Sequence, residues 1–108
     1  MKTTKKKPNV IEDYLAKCLS DVEEITGVRD CEILTKRRGF EYVSDARFLV
    51  YLTMRSRELE PSYQQIGTLM GRNHAAVIHG IKAVSNKASY CKKMNAKLKA
   101  LRIRGYKV

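Results

Sequence analysis

Between residues 62 and 81 the chain reads SYQQIGTLMGRNHAAVIHGI, and the spacing of its small and apolar residues leaves few folds open. Ser62 and Gln65 form a reciprocal capping box that opens a short helix over 63–70. Gly67, with no side chain, stands five places into it, Gly71 follows where a turn is due, and Val77 lies six beyond that, as a core contact. Asn73 is a natural N-cap for a second helix. The spacing predicts two helices that cross at a steep angle, one of them presenting almost no side chain at the crossing. That is the pattern of a helix-turn-helix. Gly80 departs from its simplest form, which has an apolar residue there, and Ile81 is expected to take that role. An αα-corner that binds nothing satisfies the same spacing, so the pattern alone assigns no function.

The rest of the chain supplies more helices. Asn9 and Glu12 suggest a capping box, and Ile11, Leu15, Cys18, Leu19, Val22 and Ile25 follow at helical intervals, which predicts a helix over 10–26. A short helix is expected over 30–35, before the basic run Lys36, Arg37 and Arg38 and then Gly39. Ser44 reads as the cap of a helix over 45–59, with Ala46, Leu49, Val50 and Thr53 or Met54 inward and Arg47, Arg55 and Arg57 directed elsewhere. Pro61 marks a break. Val77, Ile78, Ile81 and Val84 line the buried side of the helix after Asn73. No Gly or Pro interrupts 82–101, so helix continues or restarts near Ser89, with Leu98, Leu101 and Ile103 packing back. No strand-like alternation occurs. The expectation is an all-α bundle of five or six helices: a flexible basic arm over 1–9, a globular domain over 10–88 and a basic helix or tail over 89–108.

Charge is distributed unevenly. The net charge is +11, yet residues 1–60 balance to +1, while residues 61–108 carry ten Lys and Arg and no acid. Solvated helices normally mix signs, because opposite charges at i and i+4 support them. A half-chain without carboxylates builds a positive field suited to a polyanion. The bland alternative is a solubility bias or a disordered basic tail. Three widely spaced cysteines (Cys18, Cys31 and Cys91) fit neither a disulfide framework nor a metal clip and read as free, mostly packed thiols in a reducing cytosol. The basic start is followed by no apolar run, and no stretch approaches a membrane span.

The stretch GRNHAAVIH over 71–79, with LTKRR over 34–38, Ala46-Arg47 and Ile66-Gly67, resembles the C-terminal DNA-binding domain of DnaA, the bacterial chromosomal replication initiator. The resemblance covers about residues 10–86, with the elements in the same order. It implies a Trp-repressor-like helical fold and binding to double-stranded DNA. The family signature is close to G-G-R-D-H-T-T-V-x-H. Here one glycine of the pair is absent, Asn73 replaces the Asp, and Ala75 and Ala76 replace two Thr. Asp accepts from cytosine N4 whereas Asn pairs best with adenine, so the binding mode is expected to carry over and the target sequence is not. The family's minor-groove arginine falls near 43–47, where Asp45 adjoins Arg47. The chain has no G-x-x-x-x-G-K-[ST] loop, so no ATP is expected, and it reads as a stand-alone DNA-binding domain, a replication or transcription regulator of bacterial, phage or mobile-element origin.

The expected base contacts are Asn73, His74, Ala75 and Ala76, from the first turn of the recognition helix in the major groove. For Asn73 capping competes with base contact. His79, five residues beyond His74, reads as a packed histidine. Arg72, Lys36, Arg37, Arg38, Arg47, Ser62 and Lys82 are the expected phosphate contacts, with Lys87 and the basic tail adding unspecific attraction. No catalytic residue, cofactor or metal site is expected: no nucleophile has a recognisable setting, and the acid-free half lacks paired carboxylates. RNA or ribosome binding, non-specific nucleic-acid binding and a basic protein-interaction module are the competing readings. Phe40, Tyr42, Tyr63, Tyr90 and Tyr106 supply aromatics but no RNA-binding motif in sequence. A cytoplasmic, nucleoid-associated protein, monomeric or dimeric, is the resulting expectation.

Overall fold

A computed structural model describes residues 6–34, 40–56 and 61–108, with side chains from residue 11 onward. Among them the chain forms six α-helices and no strand: α1 Lys6–Thr26, α2 Asp30–Ile33, α3 Glu41–Met54, α4 Tyr63–Met70, α5 His74–Ala88 and α6 Lys92–Ile103. The all-helical bundle expected from the pattern is therefore present. No helix among the described residues is long and apolar enough to cross a membrane.

α1 starts earlier than its capping signal suggested. Asn9 lies inside the helix, and Pro8 occupies the first turn, where its missing N–H removes no intrahelical bond. Of the expected basic arm, residues 6–9 are helical and 1–5 lie outside the described residues. Tyr14, Cys18, Leu19 and Val22 form the buried stripe of α1, flanked by half-buried Ile11, Leu15 and Ile25.

The boundaries of α3 correct the sequence reading at both ends. Phe40 holds the cap position without a side-chain hydrogen bond, Ser44 falls within the helix, and the helix stops at Met54. The early start has a tertiary cause. Lys87 from the end of α5 binds both Glu41 and Asp45, and Val43 is buried between them in sequence. Those ties favour helix over the segment that Ser44 alone would have left outside it. α3 then forms the centre of the bundle, with Leu49, Val50, Tyr51 and Met54 enclosed and with α1, α2 and α5 all packed on it. Burial of such side chains contributes roughly 1.5–3 kcal/mol each, and α3 supplies more of the buried apolar side chains than any other helix among the described residues.

The basic end of the chain is folded. After a break at Ser89 and Tyr90, α6 packs on α5 and α1 through Met94, Leu98 and Leu101. Ile103, expected to pack inward, is 86% exposed. Tyr106 fills that role from beyond the helix: it is buried, and its hydroxyl donates to Asp21. Arg104 binds Asp21 and Glu24, and the Lys107 amide donates to the Ser56 carbonyl at 2.8 Å. Burial would raise the Asp21 carboxyl, but hydrogen bonds from Tyr106, Lys17 and Arg104 outweigh it and hold it below its usual range. Burial and the same carboxylate push the Tyr106 hydroxyl well above an ordinary phenol. Among the cysteines, all free, only Cys18 is buried; Cys31 is exposed and Cys91 half-buried, against the expectation of mostly packed thiols.

Candidate nucleic-acid interface

Local chemistry builds the α4–α5 unit much as its sequence suggests. Ser62 Oγ accepts the Gln65 amide at 3.1 Å, and Gln65 Oε1 accepts the Ser62 amide at 2.8 Å. Gly71 ends α4 at φ 70°, the left-handed conformation that glycine adopts without a Cβ clash. The chain then folds back sharply, and the Arg72 amide donates to the Gly67 carbonyl at 2.7 Å. A Cβ on Gly67 would lie 2.5 Å from the Arg72 carbonyl oxygen. The close approach at Gly67 is therefore to the backbone of the turn itself.

Gly80 answers a second close approach. A Cβ there would meet Phe48 Cδ1 at 2.5 Å and Tyr51 Cδ2 at 2.8 Å, so two rings of α3 occupy the space of the missing side chain. Sequence reading looked to Ile81 for this role. Ile81 does pack against the core, but half-buried, while Val77, Gly80, Val84 and Ala88 form the buried face of α5 and Ile78 is only half-buried.

That burial leaves the opposite face of α5 outward. Turning about 100° per residue, Ala75, His79, Lys82 and Asn86 fall close to its centre and are all exposed. His74 is exposed on the flank, and Ala76 is half-buried. His79 was read as a packed histidine. It makes an edge-on contact with Phe48 at 6.1 Å, yet it is exposed on the same face as Ala75. The spacing 75, 79, 82 and 86 was available in the sequence, and would have found this face had the buried side been placed correctly.

Asn73 caps α5: its Oδ1 accepts the Ala76 amide at 2.8 Å. A bidentate pairing with adenine uses both the amide oxygen and the NH₂, so this cap reserves the oxygen and leaves the NH₂ as the outward donor. Ser62 likewise spends its hydroxyl on a cap. It stands at the end of α4 away from Gly71, in a depression shared with Ile11 and Leu69.

The arginines separate. Arg47 is 7% exposed, and its Nε donates to the Ile33 carbonyl at 2.8 Å, closing the end of α2. Burial pushes its guanidinium below the ordinary value, and the nearby Arg72 charge adds to the effect. Arg47 is a structural cation, and its expected phosphate contact is withdrawn. Arg72 is half-buried with its Nε inside, whereas Lys82 is exposed. Lys87, expected to attract a polyanion, is taken up by Glu41 and Asp45, whose hydrogen bonds raise its pKa. Lys36, Arg37 and Arg38 lie outside the described residues. Among the described residues no group of three His, Cys, Asp or Glu side chains is placed to hold a metal ion.

Against known proteins, no family model, no curated protein and no solved structure matches this chain.

Proposed function

We propose that α4, the 71–73 turn and α5 act as a helix-turn-helix that binds double-stranded DNA, with the start of α5 in the major groove. The observation that carries this reading is the outward face of α5. It is exposed along a helix of about 22 Å, it follows a sharply folded turn, and it carries Ala75, His79, Lys82 and Asn86 without a single acid. A surface helix with no partner to meet gains from mixed charge; this one has none of the negative kind. His74, Ala75 and the NH₂ of Asn73 are the nearest groups to base edges, His79 extends the contact by one turn, and Arg72 and Lys82 approach phosphates. The likeness of residues 71–79 to the DnaA signature supports the same mode, as a stand-alone domain that regulates replication or transcription.

The test is selection from a random duplex pool, with His74→Ala, His79→Ala and Lys82→Gln in parallel. A short motif whose preference at single positions falls in His74→Ala or His79→Ala, while Lys82→Gln weakens all sequences alike, is the expected result. With about six phosphates neutralised, log K should fall against log salt with a slope near −5. No motif and a slope near zero would remove the reading.

A further inference from the structure

The far end of the molecule carries a different surface. Phe40 and Tyr42, at the start of α3, stack with ring centres 5.7 Å apart and planes 9° from parallel, and both are exposed, Phe40 at 72%. Tyr90, in the turn between α5 and α6, is 75% exposed. Tyr42, Lys93 and Lys97 line one depression, and Tyr90, Lys92 and Lys99 line a second; Cys91 borders both, so the two adjoin at the start of α6. Glu41 and Asp45 border the first depression too, but both are bound to Lys87.

These lysines do not serve their helix. Lys92 and Lys93 open α6, where the helix dipole disfavours cations, and the first turn has no acid to offset them. Lys93 and Lys97 stand at i and i+4 with like charge, an arrangement that destabilises a helix by a few tenths of a kcal/mol. Exposed rings beside cations that the fold does not use make a surface for a ligand both anionic and aromatic.

We propose that the start of α3, the α5–α6 turn and the first two turns of α6 form a second nucleic-acid site, which takes a single-stranded segment. Bases in a duplex hide their faces from protein side chains, whereas unpaired bases stack on exposed rings while lysines follow the backbone. Phe40, stacked on Tyr42, offers its outer face to one base, Tyr90 offers a second platform beside Cys91, and Lys93 and Lys97 share the first depression with Tyr42 and Cys91. The site is separate from the outward face of α5: Lys87 ties this end of α3 to the last turn of α5, and His74 begins the opposite end of that helix. A protein with both sites would hold a duplex at one end and an unpaired strand at the other.

Fluorescence anisotropy with a labelled oligothymidine about 15 nucleotides long, beside a duplex probe, tests this on the full chain. Phe40→Ala with Tyr42→Ala should weaken oligothymidine binding about tenfold or more and change duplex binding less than about twofold. Tyr90→Ala should weaken it independently. Lys93→Gln with Lys97→Gln should lower both its affinity and its salt slope, by about 1.4 in the slope. Phe40, Tyr42, Tyr90 and Lys93 are exposed and Lys97 is half-buried, so the variants should fold, which circular dichroism of each one checks. The proposal is overturned if the wild type does not bind oligothymidine, if the aromatic variant binds it unchanged, or if it loses both probes equally. It is also overturned if sedimentation shows a dimer that only the aromatic variant dissolves while oligothymidine stays unbound, since the rings then serve a second copy. Weaker duplex binding in Lys82→Gln with oligothymidine binding intact separates this site from the reading of α5.

Discussion

Lys87 Nζ lies 2.7 Å from Asp45 Oδ2, across 42 residues of chain. The acids and bases that segregate along the sequence meet in space: Lys87 takes Glu41 and Asp45, and Arg104 takes Asp21 and Glu24. A count of charges by half-chain therefore overstates the field available to a partner. What remains for a polyanion is the unpaired remainder, and Lys82 on the outward face of α5 is its clearest member near the turn.

Two lysines five residues apart should consequently behave in opposite ways. Lys87→Gln should destabilise the fold by about 1 kcal/mol, since Asp45 is only 17% exposed and would lose a charged partner. It should leave the salt dependence of duplex binding as it is. Lys82→Gln should leave stability within about 0.5 kcal/mol and reduce the salt slope by about one. Urea titrations and binding isotherms at several salt concentrations measure both. Equal effects on binding would mean that the Glu41 and Asp45 pairing does not remove Lys87 from the field.

The two glycines buried among the described residues, Gly67 and Gly80, differ in what surrounds them, and alanine should report it. At Gly67 the new methyl would strike the Arg72 carbonyl, which is backbone fixed by the turn. At Gly80 it would strike the rings of Phe48 and Tyr51, of which Phe48 is half-exposed and able to swing outward. Overpacking costs about 1–3 kcal/mol; Gly67→Ala should fall at or above the top of that range and Gly80→Ala lower. Adding Phe48→Leu should restore part of the loss for Gly80→Ala and none for Gly67→Ala. Thermal melts of the four proteins decide the order.

What the sequence made legible is local. Ser62 with Gln65, Asn73 with Ala76 and Gly71 each act within a few residues, so residue type and spacing carry them. What it concealed is distant. Arg47 is buried because the Ile33 carbonyl, 14 residues back, takes its Nε, and no periodicity within α3 announces that. α3 begins early because of a lysine 46 residues further on. Tyr106 displaces Ile103 from the expected packing because Asp21, in another helix, offers a partner to its hydroxyl. In the candidate site the same division holds: the turn and its cap were readable, while the centre of the exposed face depended on knowing that Gly80 is buried under Phe48.

Asn73 sits where stability and recognition overlap, and two substitutions separate them. Asn73→Ala removes the cap and should cost about 1 kcal/mol, along with any base preference that Asn73 supplies. Asn73→Asp keeps an oxygen for the Ala76 amide and adds a negative charge at a helix N-terminus, so the fold should be as stable or more so. It replaces the outward NH₂ with an acceptor, which suits cytosine N4. Duplex selection with Asn73→Asp should then shift the preference toward cytosine at one position. An unchanged preference, with melting lowered only in Asn73→Ala, would make Asn73 a cap and nothing more.

The C-terminal clasp should open at both extremes of pH, for two reasons with opposite sign. Asp21 titrates below its usual value in the folded chain, so its contribution is complete above the unfolded pKa of about 3.9 and is lost as pH falls through the folded value. Tyr106 titrates above its usual value, so its contribution is complete below about pH 10 and is lost as pH rises toward the folded value. Between those limits the hydroxyl donates to the carboxylate and the end of the chain stays on α1 and α3. Tyr106→Phe keeps the ring and removes the donor, leaving Asp21 to Lys17 and Arg104; a loss of about 1–3 kcal/mol near neutrality is expected. Because the missing bond stabilises the folded chain only while Asp21 is ionised and Tyr106 is protonated, the stability gap between wild type and Tyr106→Phe should be widest near neutral pH. It should shrink below about pH 4 and above about pH 10. Urea unfolding of both proteins across that range provides the comparison: no gap at neutral pH would show that the ring alone holds the clasp, and a gap that does not vary with pH would show that the hydroxyl acts through a partner other than the Asp21 carboxylate.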